Sequence, residues 1–256
     1  MLWNRIRSEC LPGLCLLCHG RCAQSFDKGR EKIDSASGLL CEGCLNSLLV
    51  NGASCYCCAE PLSQDGEDAS QKLMCGRCQK RQPTYERIIS PYLYQEPLSL
   101  VIQRFKSQGS LLYSRLVSSL LSDHLKAEII SERLLLPDLI LPVPTHWRSR
   151  FKRGFNPAAQ LADFIGRSLD IPVQMSWLKK VRYTPPQHEL NRRQRLSNLT
   201  ASFELSHRAK LEGCSVAIVD DVVTTGATAD VIAELLRDNG ARSVQVWALA
   251  RTPSRR

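Results

Sequence analysis

No apolar run in this 256-residue chain approaches the roughly 20 residues that a membrane-spanning helix needs. The apolar start from Leu11 to Leu17 is short and broken by Cys15, which fits neither a signal peptide nor an anchor. The expected location is the cytoplasm, and without an export route a disulfide scaffold is disfavoured despite 12 cysteines. Residues 1–82 also lack any long apolar periodicity, so a segment this small and polar must take stability from something besides apolar burial. Acidic residues fall short of the basic ones: the formal charge is +9, with about +1 before residue 91 and about +8 after it. That surplus directs the second part toward a phosphate-rich ligand or nucleic acid, or marks a solvated face, and charge alone does not choose. Hydrophobic content of 43% is enough for a packed core, which excludes general disorder.

The cysteines that are present are ordered. Eight fall in four CxxC pairs: Cys15/Cys18, Cys41/Cys44, Cys55/Cys58 and Cys75/Cys78. Two residues between cysteines let both thiolates face one tetrahedral site, and two such pairs complete a Cys₄ zinc site with Zn–S bonds of about 2.3 Å. Eight ligands suit two structural zinc ions that leave no position open for water. Pairing in sequence order makes a double zinc ribbon; a cross-braced pairing uses the same residues. Cys22, Cys57 and His19 are near enough in sequence to substitute as ligands, whereas Cys10 and Cys214 read as small hydrophobic residues. Redox CxxC chemistry is the competing use of such pairs.

A boundary near Arg81-Gln82-Pro83 divides the chain into residues 1–82 and 83–256. Within 83–130, a β-like stretch begins at Tyr85 and runs to Leu93. Apolar Leu100, Val101, Phe105, Leu112, Leu116, Leu120 and Leu121 then recur at helical spacing, with a break at Gln108-Gly109. Residues 131–256 alternate: a strand at Asp138 to Val143, a helix at Pro157 to Leu169 behind an Asn156 N-cap, and an apolar strand at Val216 to Val219. A helix at Ala227 to Asn239, stopped by Gly240, and a strand at Ser243 to Ala250 complete the series. That order implies right-handed crossovers within a parallel sheet.

The strand at Val216 to Val219 leads into Asp220-Asp221-Val222-Val223-Thr224-Thr225-Gly226-Ala227-Thr228. Adjacent carboxylates at the carboxyl edge of an α/β sheet stand where such folds bind ligands. Buried without partners they would be costly, so they face a ligand or a metal. Three threonine hydroxyls, a glycine that admits an anion to the backbone and a helix N-terminus follow, which together suit a phosphorylated polyol. The plainer alternative is a strand capped by exposed aspartates ahead of an ordinary Thr N-cap. The segment resembles the signature by which type I phosphoribosyltransferases bind 5-phosphoribosyl-1-pyrophosphate (PRPP). The resemblance implies that Asp220 and Asp221 meet the ribose hydroxyls, that Thr224, Thr225, Gly226, Ala227 and Thr228 cradle the 5′-phosphate, and that Mg²⁺ accompanies the pyrophosphate.

Pyrophosphate needs donors from elsewhere, and two segments offer them. Pro142 to Asn156 leaves a strand, carries Arg148, Arg150, Lys152 and Arg153, and enters a helix; within Arg182 to Asn198, Thr184, Pro185, Pro186 and Gln187 make an irregular, polar, mobile loop before a short helix that carries Arg192, Arg193 and Arg195. A loop of the second kind can close over a ligand and exclude water. Val143-Pro144, Arg153-Gly154-Phe155-Asn156, the series Thr184, Gln187, Leu190, Arg195, Asn198 and Phe203, and the Asp-Asp loop together resemble the ComF/GntX family of competence-associated, phosphoribosyltransferase-like proteins. The likeness spans nearly the whole chain; Pro157 departs from it, where the family often has Gln. It implies an α/β fold with a type I phosphoribosyltransferase-like parallel sheet and flanking helices, a hood made by residues 83–130 over a PRPP-binding core at 131–256, and an N-terminal double zinc ribbon with sequential CxxC pairing.

Two functions follow. In the first, ribose 5-phosphate passes from PRPP to a nitrogen nucleophile, with Asp220, Asp221 and Arg195 as catalytic residues and Arg153 among the PRPP contacts. In the second, the same fold handles single-stranded DNA beside competence or DNA-processing proteins, with PRPP as a regulator. Single-strand binders combine basic grooves with aromatic platforms, and Trp147, Phe151 and Phe155 are interleaved with the basic residues from Arg148 to Arg153. Core packing is the plainer use of those aromatics.

Overall fold

The computed structural model describes residues 13–22, 36–62, 73–146, 151, 153–181 and 202–254. The cysteine-rich part has two short helices, α1 (Glu42–Asn46) and α2 (Gly76–Lys80), each opening directly after a cysteine. Strands β1 (Arg87–Ile89) and β2 (Tyr92–Leu93) lead into helices α3 (Leu98–Gln108) and α4 (Leu111–Ile130). There follow β3 (Leu139–Pro142), α5 (Pro157–Leu169), β4 (Leu178–Lys180), β5 (Phe203–Leu205), β6 (Ser215–Val223), α6 (Ala227–Asp238) and β7 (Ser243–Arg251).

Strands β6 and β7 are apolar on both faces, the pattern of parallel strands covered by helices on either side. Val216 to Val219 and Val246 to Ala250 are wholly buried. β6 pairs in parallel with β7 from Ser215 opposite Ser243 to Val223 opposite Arg251, and with β3 from Leu139 opposite Val216 to Pro142 opposite Val219. β1 and β2 both pair in parallel with β7, which gives the order β1-β7-β6-β3 with β2 beside the far half of β7. The β-like stretch at Tyr85 to Leu93 is thus two strands parted at Ser90-Pro91, where proline has no N–H to give a ladder. β4 and β5 form a separate antiparallel pair that sequence periodicity did not foretell.

Helix ends follow their local chemistry. Gly109 takes a left-handed φ of 59° between α3 and α4, and a side chain there would strike the Phe155 ring. Asn156 caps α5, accepting from the Ala158 N–H, with Pro157 in the first turn.

Successive residues of a strand point to opposite faces, and the two cores divide accordingly. Ala217, Val219, Trp247 and Leu249 pack with α3, α4 and α5, and this core also holds Cys15, Cys22, Leu40 and Leu48. Val216, Ile218, Val246 and Ala248 pack with α6, and this core holds Cys55, Cys57, Cys58 and Cys78. The cysteine-rich segment therefore contributes to both faces of the sheet.

Candidate functional site

The eight CxxC cysteines gather in sequence order as Cys15, Cys18, Cys41 and Cys44, and as Cys55, Cys58, Cys75 and Cys78, with the sulfurs of each set within 4.8 Å of one another. The two sets repeat one local design. In the first, the Cys15 N–H donates to the Gly20 carbonyl, His19 to Cys15 and Cys22 to Gly13; in the second, Cys55 donates to Glu60, Ala59 to Cys55 and Leu62 to Ala53. His19 and Ala59, each directly after its CxxC, both adopt left-handed backbone. Cys41 and Cys75 stand at the N-caps of α1 and α2.

A tetrahedral ion with bonds of about 2.3 Å sets sulfurs about 3.8 Å apart, and the Cys18–Cys41 and Cys58–Cys75 sulfurs are 3.7 Å apart. The donor set fits zinc. Hydrogen bonding from Cys58, acting against burial, draws the Cys55 thiol down to about 4. Burial pushes the Cys15 thiol up, but the backbone groups of Cys18, Cys41 and Leu17 outweigh it and bring it down to about 6. Each tetrad thus has a ready thiolate. Cys22 and Cys57 belong to neither tetrad; they are buried, and burial pushes both thiols up. His19 is exposed and also outside the tetrads, Cys214 is half-buried, and Cys10 lies outside the described residues.

β6 continues as a strand through both aspartates to Val223, so the acids stand within the strand rather than after it. β3 ends opposite Val219, which leaves the acids beside a notch. A cavity of about 280 Å³ opens there, lined by Asp220, Asp221 and Thr228, by Arg153 and Asn156, and by Lys106 of α3 and Lys180 of β4. A smaller hollow of about 40 Å³ is walled by Asp220 and the turn from Thr224 to Ala229. Gly226 makes that turn at φ 77°, and the Thr225 hydroxyl accepts from the Ala227 N–H at the start of α6. Asn156 ties the ends of the Val143 to Asn156 segment: its amide donates to the Val143 carbonyl, and its oxygen accepts from the Thr145 hydroxyl and the Ala158 N–H.

The charges are closely balanced. Lys106 Nζ lies 2.7 Å from Asp221 Oδ1. Burial and then the Asp221 carboxylate push Asp220 up to about 7, with Lys106 and Lys180 pulling the other way. Burial lowers Lys180 in turn, opposed by Asp220, and its ammonium sits 5.6 Å over the Phe203 ring. The sequence singled out neither lysine. On α3, Lys106 has the pattern of any solvent-facing helix lysine, and only the fold of α3 over β6 gives it a partner.

Asp220, Asp221, Arg153 and the Thr224 to Thr228 turn come together around these two hollows. Arg195 and the rest of residues 182–201 lie outside the described residues, as do Trp147, Arg148, Arg150 and Lys152. Phe155 packs against Phe105 with ring centroids 6.0 Å apart, while Phe151 is 90% exposed.

Residues 151–256 match the family model of the phosphoribosyl transferase domain. Over 223 residues the chain is 34% identical to competence protein F of Haemophilus influenzae, an overlap covering 87% of this chain and 94% of that one. The chain belongs to the ComF family. DNA utilization protein YhgH of Salmonella typhimurium is 35% identical over 243 residues, 94% of this chain and 98% of its own, and competence protein ComFC of Bacillus subtilis is 23% identical over 250 residues, 93% and 95%. This ComF protein has the type I phosphoribosyltransferase fold, a PRPP-binding fold, preceded by cysteine clusters compatible with a zinc ribbon. Lys106 and both tetrads precede the matched domain. Among the described residues, no helix is long and apolar enough to cross a membrane.

Proposed function

We propose that this protein binds PRPP with Mg²⁺ and transfers its ribose 5-phosphate to a nitrogen nucleophile, releasing pyrophosphate. The observation that carries this reading is the meeting of two hollows at Asp220 and Thr228: one is polar and flanked by cations, the other is wrapped by a phosphate-sized turn. In it, Asp220 and Asp221 accept hydrogen bonds from the ribose hydroxyls, and the N–H groups and hydroxyls from Thr224 to Thr228 hold the 5′-phosphate. The bond from the sugar C1 to pyrophosphate breaks as the bond to the acceptor nitrogen forms, and the acceptor gives up its proton. Positive charge grows at C1 while negative charge grows on the leaving group, so Arg153, Lys106 and Arg195 act by stabilising the pyrophosphate. Asp220 and Asp221 would help hold Mg²⁺ brought with the pyrophosphate, and the ion would supply further neutralisation of the leaving group.

Two zinc ions in the cysteine tetrads complete the proposal as structural elements, with residues 1–82 as the ribbon, 83–130 as the hood, 131–256 as the PRPP-binding core, and the cytoplasm as the location. A second reading, single-stranded DNA handling with competence or DNA-processing proteins as partners, is favoured by Phe151, which is exposed near the cavity residue Arg153. The relatives' names, competence protein F and DNA utilization protein YhgH, point the same way. Calorimetric titration of the zinc-loaded protein with PRPP and Mg²⁺ tests the first reading. Saturable binding is expected in the wild type and its loss in Asp220→Ala/Asp221→Ala; a folded wild type that takes up no PRPP overturns it and leaves DNA handling in front.

A further inference from the structure

We infer that Arg251 positions the phosphate-binding turn, and that through it the turn and the Cys55/Cys58/Cys75/Cys78 tetrad share a coupling free energy. The inference rests on the PRPP reading of the site. Arg251 ends β7 and is wholly buried, which is costly for a guanidinium unless its donors are used. They are used on both sides. Nε donates to the Cys58 carbonyl at 3.0 Å, Nη1 to the carbonyls of Val223 at 3.3 Å and Thr252 at 2.8 Å, and Nη2 pairs with Glu60 at 2.5 Å. One planar group therefore joins the backbone of a tetrad cysteine to Val223, the residue directly before Thr224.

Two further contacts run alongside. The Tyr85 hydroxyl lies 2.9 Å from where a Cβ on Gly226 would stand, and Tyr85 is buried in the same core as Cys57, Cys58 and Cys78. The Thr84 N–H donates at 2.7 Å to the carboxylate of Asp230, in the first turn of α6. The turn is thus held at Val223, at Gly226 and at Asp230 from the side of this tetrad. The other tetrad is anchored on a different element: the Tyr113 hydroxyl of α4 donates to the Leu16 carbonyl.

A turn held from the backbone of a metal knuckle feels the knuckle's order, and the effect is reciprocal: whatever factor metal adds to PRPP affinity, PRPP adds to metal affinity. The test is the equilibrium zinc affinity of both sites, measured on the full chain by competition with a zinc-selective chromophoric chelator, with and without PRPP and Mg²⁺. PRPP should raise the affinity of one site by about fivefold or more and leave the other within twofold. Glu60→Gln removes the anion from the fork, and Arg251→Lys keeps the charge but loses the fork; each should cut the PRPP effect below about twofold while two zinc ions stay bound. Calorimetry on the same samples separates the outcomes. PRPP bound with both zinc affinities unchanged overturns the coupling and leaves the PRPP reading standing, whereas no PRPP bound removes both.

Discussion

The two cysteine tetrads share a hydrogen-bond pattern and a metal geometry yet grip opposite faces of one sheet. The first packs with α3, α4 and α5, the face from which Lys106 reaches Asp221. The second packs with α6 and the ends of β6 and β7, where the turn from Thr224 to Thr228 begins. Each tetrad thus packs behind a different side of the cavity, one behind α3 and α4 and the other behind the turn from Thr224 to Thr228. Burial differs in the same sense: Cys58 is fully buried and Cys18 is exposed. Identical local chemistry can serve unlike purposes because what a knuckle does depends on what packs behind it.

The largest effect that would break this comparison is loss of a ligand. Cys58→Ser is expected to empty the second tetrad and take the phosphate turn with it, because structural zinc in small modules carries on the order of 10 kcal/mol of folding free energy. Thermal unfolding should lose its cooperative transition and PRPP binding should vanish. Cys18→Ser should instead leave a folded sheet with PRPP affinity within about twofold of the wild type, the reciprocal of an uncoupled tetrad. Equal damage from the two substitutions would dissolve the distinction.

A middle-sized effect isolates the acid pair and Lys106. Asp220, raised to about 7 by burial and by Asp221, is neutral in the folded state over a pH range where it is ionised in the unfolded chain. The ligand-free protein should therefore lose stability as pH rises from about 4 to about 7 and stay level above that. Asp220→Asn should remove the slope and add up to about 4 kcal/mol at pH 8, while weakening PRPP binding. Lys106→Met removes a cation that opposes the rise, so the fall should extend to higher pH; denaturant melts across a pH series read both. The smallest expected effect is that of Tyr113→Phe, which removes a hydroxyl that accepts from Arg104 and donates to Leu16. It should cost about 0.5–1.5 kcal/mol and leave PRPP affinity unchanged, since it touches the anchor between α4 and Leu16 rather than the cavity.

What was legible in the sequence was chemistry carried by neighbours in the chain. The CxxC pairs, the acids at 220 and 221, the turn after them, the α5 boundaries and the glycine break between α3 and α4 are all local patterns, and local sterics or ligand spacing decide them. What was not legible depends on distant packing. Lys106 gains its role only because α3 folds over β6, more than 100 residues away in sequence. Arg251 looks like a terminal surface arginine until β7 is set between β1 and β6 and Glu60 is brought beside it. Val222 and Val223 extend β6 past the acids because β7 still offers partners at Ala250 and Arg251, which the four-residue apolar run did not reveal.

The split between β1 and β2 has one more consequence. Nine nearly all-buried residues of β7 would make a strong template for another chain's strand if that side of the sheet were open. Two short strands cover it, and the cysteine-rich segment covers them in turn: Ile88 donates to the Cys57 carbonyl, Leu93 to Leu49, and Asn51 to Pro91. The ribbon thereby works as an edge guard. It closes the ladder with irregular, proline-broken backbone that a neighbouring molecule cannot easily extend, so the same segment that braces the cavity also protects the sheet from self-association.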